Sequence, residues 1–174
     1  NASPAADSVP ALIAADAVAR VAGPDGIRDV PVQEVPTGPG KTSLAKDEFI
    51  TSIFLPARPQ GASDAYLRFI PRTEMDIAVV GCGVSLTLEG GTCKDARVAL
   101  GAVGPRVILV EEAARALIGT PVDDAALAAL AAACSAAATP IDDKRGTIEY
   151  RKHMAGVLAR RATTLAKTRA GGAA

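Results

Sequence analysis

The opening segment, Asn1-Ala2-Ser3-Pro4-Ala5-Ala6-Asp7, combines small residues with three hydrogen-bonding side chains. At a helix start such groups suit a polyhydroxylated or phosphorylated ligand, and a plain N-cap asks for the same residue types. The stretch Thr37-Gly38-Pro39-Gly40-Lys41-Thr42 has the look of a phosphate loop. A Walker A loop, however, needs a glycine at the position of Val35 and a helix directly after Thr42, where the pattern instead leads into a strand. The lone histidine, His153, has no cysteine or second histidine at ligand spacing, so it reads as structural rather than as a metal ligand or triad base. Cys82, Cys93 and Cys134 are far apart and odd in number; they form neither a disulfide framework nor a CxxC pair, and a reducing cytoplasm is the expectation. The pairs Asp123-Asp124 and Asp142-Asp143 point apart on a helix and suit capping better than a two-carboxylate site.

Composition narrows the classes further. The chain has 174 residues, 19 basic and 19 acidic side chains, 3% aromatics and no Trp. That balance argues against a nucleic-acid surface, which needs excess positive charge or stacking rings. No apolar run approaches the length of a membrane span, and the run at Ile77–Val80 is soon broken by Gly81 and Gly83. The start lacks the basic and apolar regions of a signal peptide. The cations Lys144, Arg145, Arg151, Lys152, Arg160, Arg161, Lys167 and Arg169 read as a solvated face or a subunit contact.

Several elements must position these groups. Val9, Leu12 and Ile13 recur at helical spacing from Asp7 to Ala15. Two strands flank Pro24-Asp25-Gly26, a Pro/Gly-rich loop covers 36–43, and a strand runs from Asp47 to Leu55. Strands follow at Ala65–Ile70, Ile77–Leu88 and Ala96–Val103, the last two joined by Glu89-Gly90-Gly91. Helices are expected at Val110–Ile118, Asp123–Ala138 and Thr147–Lys167. Asp123 caps the second of these, with Leu127, Leu130 and Cys134 on its stripe; the third carries Tyr150, Met154, Val157, Leu158 and Leu165 on one face. Three strands followed by three helices make an α+β domain, a three-stranded antiparallel sheet packed by three helices. The expected division is 1–56, a linker at 57–63, a domain at 64–169 and a disordered tail at 170–174.

Four stretches, taken in order, resemble the FAD-binding medium subunit of molybdenum hydroxylases, the family of aerobic carbon monoxide dehydrogenase and xanthine dehydrogenase. They are NASPAADSVPALIA, TGPGKTSLAKDEFITSIFLP, AYLRFIPRTEMDIAVVGCGVSLTL and IDDKRGTIEYRKHMAGVLARRA, the last most similar to carbon monoxide dehydrogenase medium chains. The resemblance makes residues 1–56 the C-terminal remnant of the flavin-binding domain and 64–169 the family's C-terminal domain. It places Asp7 where an aspartate hydrogen-bonds the flavin, with Asn1 and Ser3 beside it. Ile50 corresponds to an apolar residue near the flavin, Tyr66 to an aromatic neighbour, and Arg68 to a lysine. In place of a point donor, that arginine offers a planar fork.

The resemblance implies an oxidoreductase subunit whose FAD passes electrons from [2Fe–2S] clusters to an external acceptor. The molybdenum cofactor belongs to a large partner subunit and the clusters to a small one, in a dimer of heterotrimers. No catalytic residue and no metal ligand is expected in this chain. The family's two glycine-rich flavin loops are not among the 174 residues, so this chain corresponds to the C-terminal part of a longer subunit. Alone it is expected to bind FAD poorly and not to be catalytically competent. The alternative from another class is a flavin-free module that docks the other subunits.

Overall fold

Val9, Leu12 and Ile13 recur at the spacing that makes one helical face apolar, and α1 forms at Ser8–Ala14 with Ile13 and Ala14 buried. After it, β1 (Val18–Gly23) and β2 (Gly26–Pro31) form a hairpin closed by Gly23 opposite Gly26. Gly26 has φ 114, where a side chain would be strained. A single 3-10 turn follows at Val32–Glu34. The segment expected as an open loop is a small hairpin, β3 (Pro36–Gly38) against β4 (Lys41–Thr42). Then β5 (Phe49–Phe54) pairs with the free edge of β1, giving the sheet order β2-β1-β5. This is a computed structural model, and it describes residues 1–73 and 76–171.

A second antiparallel sheet has the order β6-β7-β8-β9, with β6 at Ala62–Phe69, β7 at Val80–Glu89, β8 at Thr92–Gly101 and β9 at Ile108–Leu109. The three long strands are those expected, and the two-residue β9 adds a fourth at the edge. Helices α2 (Glu111–Leu117), α3 (Asp124–Ala137) and α4 (Ile148–Arg169) complete the α+β fold. The Asp123 side chain caps α3 by accepting from the Ala126 N–H at 3.0 Å. Among the described residues no helix is long and apolar enough to cross a membrane. Of the tail expected at 170–174, positions 172–174 lie outside the described residues, as do Glu74 and Met75 of the third resembling stretch.

The period of two along each strand gives the second sheet two different faces. Val80, Cys82, Val84 and Leu86 of β7, with Ala96, Val98 and Leu100 of β8, pack into one core with Leu117, Leu130, Cys134 and Leu158 of the three helices. The opposite face carries Gly81, Gly83, Arg97 and Gly101, and α1 lies there. Arg97 donates to the Ile13 carbonyl at 3.1 Å. A Cβ on Gly83 would sit 2.5 Å from the Pro10 carbonyl oxygen, and one on Gly101 would sit 2.8 Å from Pro10 Cγ. These two glycines let the backbone of α1 rest directly on the sheet.

The expected apolar stripe of α4 is kept only in part, with Leu158 buried and Met154 packed against the core. Tyr150 and Leu165 are both exposed, while Ala155, Gly156, Leu158, Ala159, Ala162 and Ala166 are buried. The cause is close packing against α3: a Cβ on Gly156 would come within 2.9 Å of the Ala131 carbonyl oxygen, so only small residues fit the seam. Arg151, expected on the solvated face, is also buried.

Candidate flavin site

Asp7 precedes α1 and was open to two roles, a helix cap or a ligand-facing acceptor. Its side chain makes no capping hydrogen bond. Pro10, at the third helical position, has no N–H to offer it. The carboxylate turns instead to β6, where the Tyr66 hydroxyl donates to Oδ1 at 3.1 Å and Arg68 forms an ion pair with Oδ2. Tyr66 and Arg68 are two residues apart on one strand and therefore share a face.

That face is built by glycines. Tyr66 Oη lies 3.0 Å from where a Cβ on Gly81 would stand, so the bare Gly81 leaves room for the phenol over β7. Gly81 and Gly83 thus do two jobs from alternate positions, one admitting the Tyr66 ring and the other admitting α1. Burial, and then the neighbouring Asp7 carboxylate, pushes the Tyr66 phenol above its ordinary range. It stays protonated at neutral pH and keeps donating to Asp7. The Arg68 side chain is 35% exposed and that of Asp7 43%, so both remain open to a ligand.

The opening segment is held to the sheet by its backbone. The Ala102 N–H donates to the Pro4 carbonyl at 2.8 Å, and the Gly40 N–H donates to the Ala2 carbonyl at 3.3 Å. Ser3 Oγ accepts from the Ala5 N–H at 3.3 Å, a local turn bond, and Asn1 is exposed at the end of the segment. Ile50 stands apart from this cluster: it lies on β5, opposite Val21 of β1, in the other sheet, and is 39% exposed.

Two concavities flank these elements. A cleft of about 740 Å³ runs between the end of α1, the 55–59 segment and the face of the second sheet at Ser85, Thr87 and Arg97. A cavity of about 380 Å³ lies between Ser3-Pro4-Ala5, Ala102, Thr139 and Arg151. Asp7 and Ile50 line neither of them.

Other candidates stay structural. Gly40 of the TGPGKT stretch sits in the β3–β4 hairpin with φ 68, and the next element is a strand, so no helix N-terminus is there to bind phosphate. Burial raises all three thiols, Cys93 to about 11, Cys134 to about 12 and Cys82 well above its ordinary value, so none is a ready nucleophile. His153 is exposed, and among the described residues no group of three or more His, Cys, Asp or Glu could hold a metal. The reading of the sequence missed Gly81 and Gly83 as site-building residues, although a glycine inside a strand is the ordinary sign of close backbone approach.

Known proteins share this fold. Residues 1–58 match the FAD binding domain in molybdopterin dehydrogenase, and residues 65–166 match the CO dehydrogenase flavoprotein C-terminal domain. The chain is 35% identical to the carbon monoxide dehydrogenase medium chain of Afipia carboxidovorans over 98% of its length and 59% of that relative. It is 29% identical to a putative xanthine dehydrogenase FAD-binding subunit of Escherichia coli, over 99% of this chain and 59% of that one. Among solved structures, reconstituted CO dehydrogenase from Oligotropha carboxidovorans superposes with a TM-score of 0.92 at 34% identity, covering 97% of this chain and 59% of that chain. The chain therefore spans under two thirds of the length of these relatives. With both family models matched in order on a shared fold, the chain belongs to the flavoprotein family of CO dehydrogenase and xanthine dehydrogenase.

Proposed function

We propose that this chain is part of the FAD-binding medium subunit of a molybdenum hydroxylase of the carbon monoxide dehydrogenase type. In that reading, residues 1–56 are flavin-binding and 64–169 are the domain that backs them, with 57–63 between. The partners are a large subunit carrying the molybdenum cofactor and a small subunit carrying [2Fe–2S] clusters, assembled as a dimer of heterotrimers. A cytoplasmic location fits three cysteines that are all unpaired.

The carrying observation is the orientation of Asp7: a carboxylate free of any capping duty, fixed by Tyr66 and flanked by Arg68. This donor set fits a flavin. The carboxylate could accept from an imide N–H of the bound group, and the guanidinium could donate to its carbonyls and offset negative charge there. Asp7 and Arg68 would hold the cofactor, with Asn1 and Ser3 supplying further polar groups; Ile50, expected as an apolar neighbour, lies on the other sheet and outside this cluster. Bound there, FAD would supply the two-electron and one-electron redox chemistry that links [2Fe–2S] clusters to an external acceptor. The chain's own work is to orient the ring, to keep the Tyr66 proton in place and to set the charge beside it.

Asp7 and Ile50 line neither described cavity, and a flavin-free docking module would have the same lining. One experiment separates the readings. In the full-length flavoprotein subunit, Asp7→Ala should weaken FAD binding roughly tenfold or more, the worth of a hydrogen bond to a charged group. Flavin fluorescence titration measures it. Unchanged affinity, or a wild-type subunit that is colourless near ~450 nm yet still binds its partners, would favour the module.

A further inference from the structure

We propose that Arg151 is a positioning residue for the Asn1–Asp7 segment, acting through the backbone of Ala102. The consequence for cofactor binding rests on the flavin reading above; the clamp itself does not. Arg151 sits in the first turn of α4 and is only 5% exposed. A guanidinium taken out of water needs full pairing, and this one has it. Nη1 donates to the Val79 carbonyl at 3.0 Å and to the Ala102 carbonyl at 3.4 Å, Nε donates to the Gly146 carbonyl at 3.4 Å, and Nη2 pairs with Asp143 at 2.5 Å.

The position of those carbonyls says what the pairing is for. Val79 immediately precedes β7 and Ala102 immediately follows β8, and the β7–β8 ladder begins with Gly81 opposite Gly101. Arg151 therefore staples the open end of the ladder, where two backbone carbonyls have left the sheet. Helix α4 does not need it for capping, since Thr147 accepts from the Tyr150 N–H and Asp142 from the Ile148 N–H.

Ala102 is the link. It has φ 62, a left-handed conformation that alanine adopts only at a cost and only when its surroundings impose it. Its carbonyl is held by Arg151, and its N–H is held by the Pro4 carbonyl at 2.8 Å. Pro4 stands three residues before Asp7. The 380 Å³ cavity lies between Arg151 and Ser3-Pro4-Ala5, so side-chain packing does not join them there and the hydrogen bonds do. The chain of contact runs from Asp143 through Arg151, Ala102 and Pro4 to the segment that presents Asp7.

Amide hydrogen exchange on the full-length subunit tests this with no cofactor added. Arg151→Met should speed exchange of the Ala102 and Gly40 amides tenfold or more, since both donate into the 1–7 segment. The Leu127 amide of α3 should change less than twofold. Arg151→Lys should restore part of the Ala102 protection, because an ammonium reaches one carbonyl but cannot bridge three partners. It also serves as the reading variant should the methionine form fail to fold. Equal acceleration at all amides, or none at Ala102 in either variant, overturns the proposal. In the full-length subunit, Arg151→Met should weaken FAD binding, and adding it to Asp7→Ala should cost no more than Asp7→Ala alone. If Asp7→Ala leaves FAD binding unchanged while Ala102 exchange still accelerates, the flavin reading fails and the clamp stands.

Discussion

Strands β5 and β7 show how differently the two parts of this molecule are finished. In β7 (VGCGVSLTLE) the first five residues are buried, with helices on one face and α1 on the other. In β5 (FITSIF) every residue is exposed, although four of the six are large and apolar. Phe54 is 64% exposed, and among the described residues one edge of β5 has no strand beside it. The sheet that carries β5 has a smaller core, centred on Ile13, Val21, Val30 and Val32. Much of its visible order is at the surface, in the pairs Arg20–Asp29 and Arg28–Glu48. The Arg28 guanidinium and the Ala45 N–H hold the Glu48 carboxyl down at about 2. Exposed pairs of this kind contribute little to stability. The lesson is that residues 62–169 form a closed sandwich, while the first sheet presents an apolar strand that a solvated fold ordinarily covers.

The sharpest way to break that contrast is in the helical layer. Leu130→Ala removes a fully buried side chain between α3 and the sheet and should cost about 2–5 kcal/mol in urea unfolding. A loss under about 1 kcal/mol would mean that this core is no tighter than the other. Next comes the joint between the two parts. Gly83→Ala forces a Cβ to 2.5 Å from the Pro10 carbonyl oxygen and 3.0 Å from the Ala11 nitrogen, both backbone atoms that cannot swing aside. It should cost roughly 1–3 kcal/mol and unseat α1 from the sheet. Faster exchange of α1 amides with β6–β7 protection retained is the expected pattern, and an unchanged α1 would show that the joint is looser than drawn. The smallest effect belongs to β5. Phe54→Thr should alter stability by less than about 0.5 kcal/mol, yet it should reduce concentration-dependent self-association in sedimentation velocity. A large loss of stability there would place β5 in a core after all.

Much of this was legible from residue types. The Asp123 cap, the Leu127/Leu130/Cys134 stripe, the hairpin at Gly23–Gly26 and the long strands of the second sheet all rest on local signals, and they stand where those signals put them. Two features of α4 were misread, each for its own reason. On α4 the larger residues Tyr150 and Leu165 were expected inward, and Arg151 outward. Hydrophobic size is a guide to burial only where there is room, and the α3–α4 seam at Gly156 admits little more than alanine. Arg151 was read as solvated because its three carbonyl partners come from residues 79, 102 and 146, which no local pattern connects.

The candidate site divides in the same way. The chain's own residues determined that Asp7 opens a helix, that Tyr66 and Arg68 share a strand face, and that Gly81 and Gly83 leave β7 bare on alternate positions, because helical and strand periods are properties of consecutive residues. Tertiary structure alone decided that the Asp7 carboxylate abandons its helix for β6, and that Ala102 is held in a left-handed turn between Pro4 and Arg151. Those outcomes depend on contacts across roughly sixty residues in one case and about a hundred in the other. Hydrogen bonds at such separations are satisfied only once the sheet has brought their partners together.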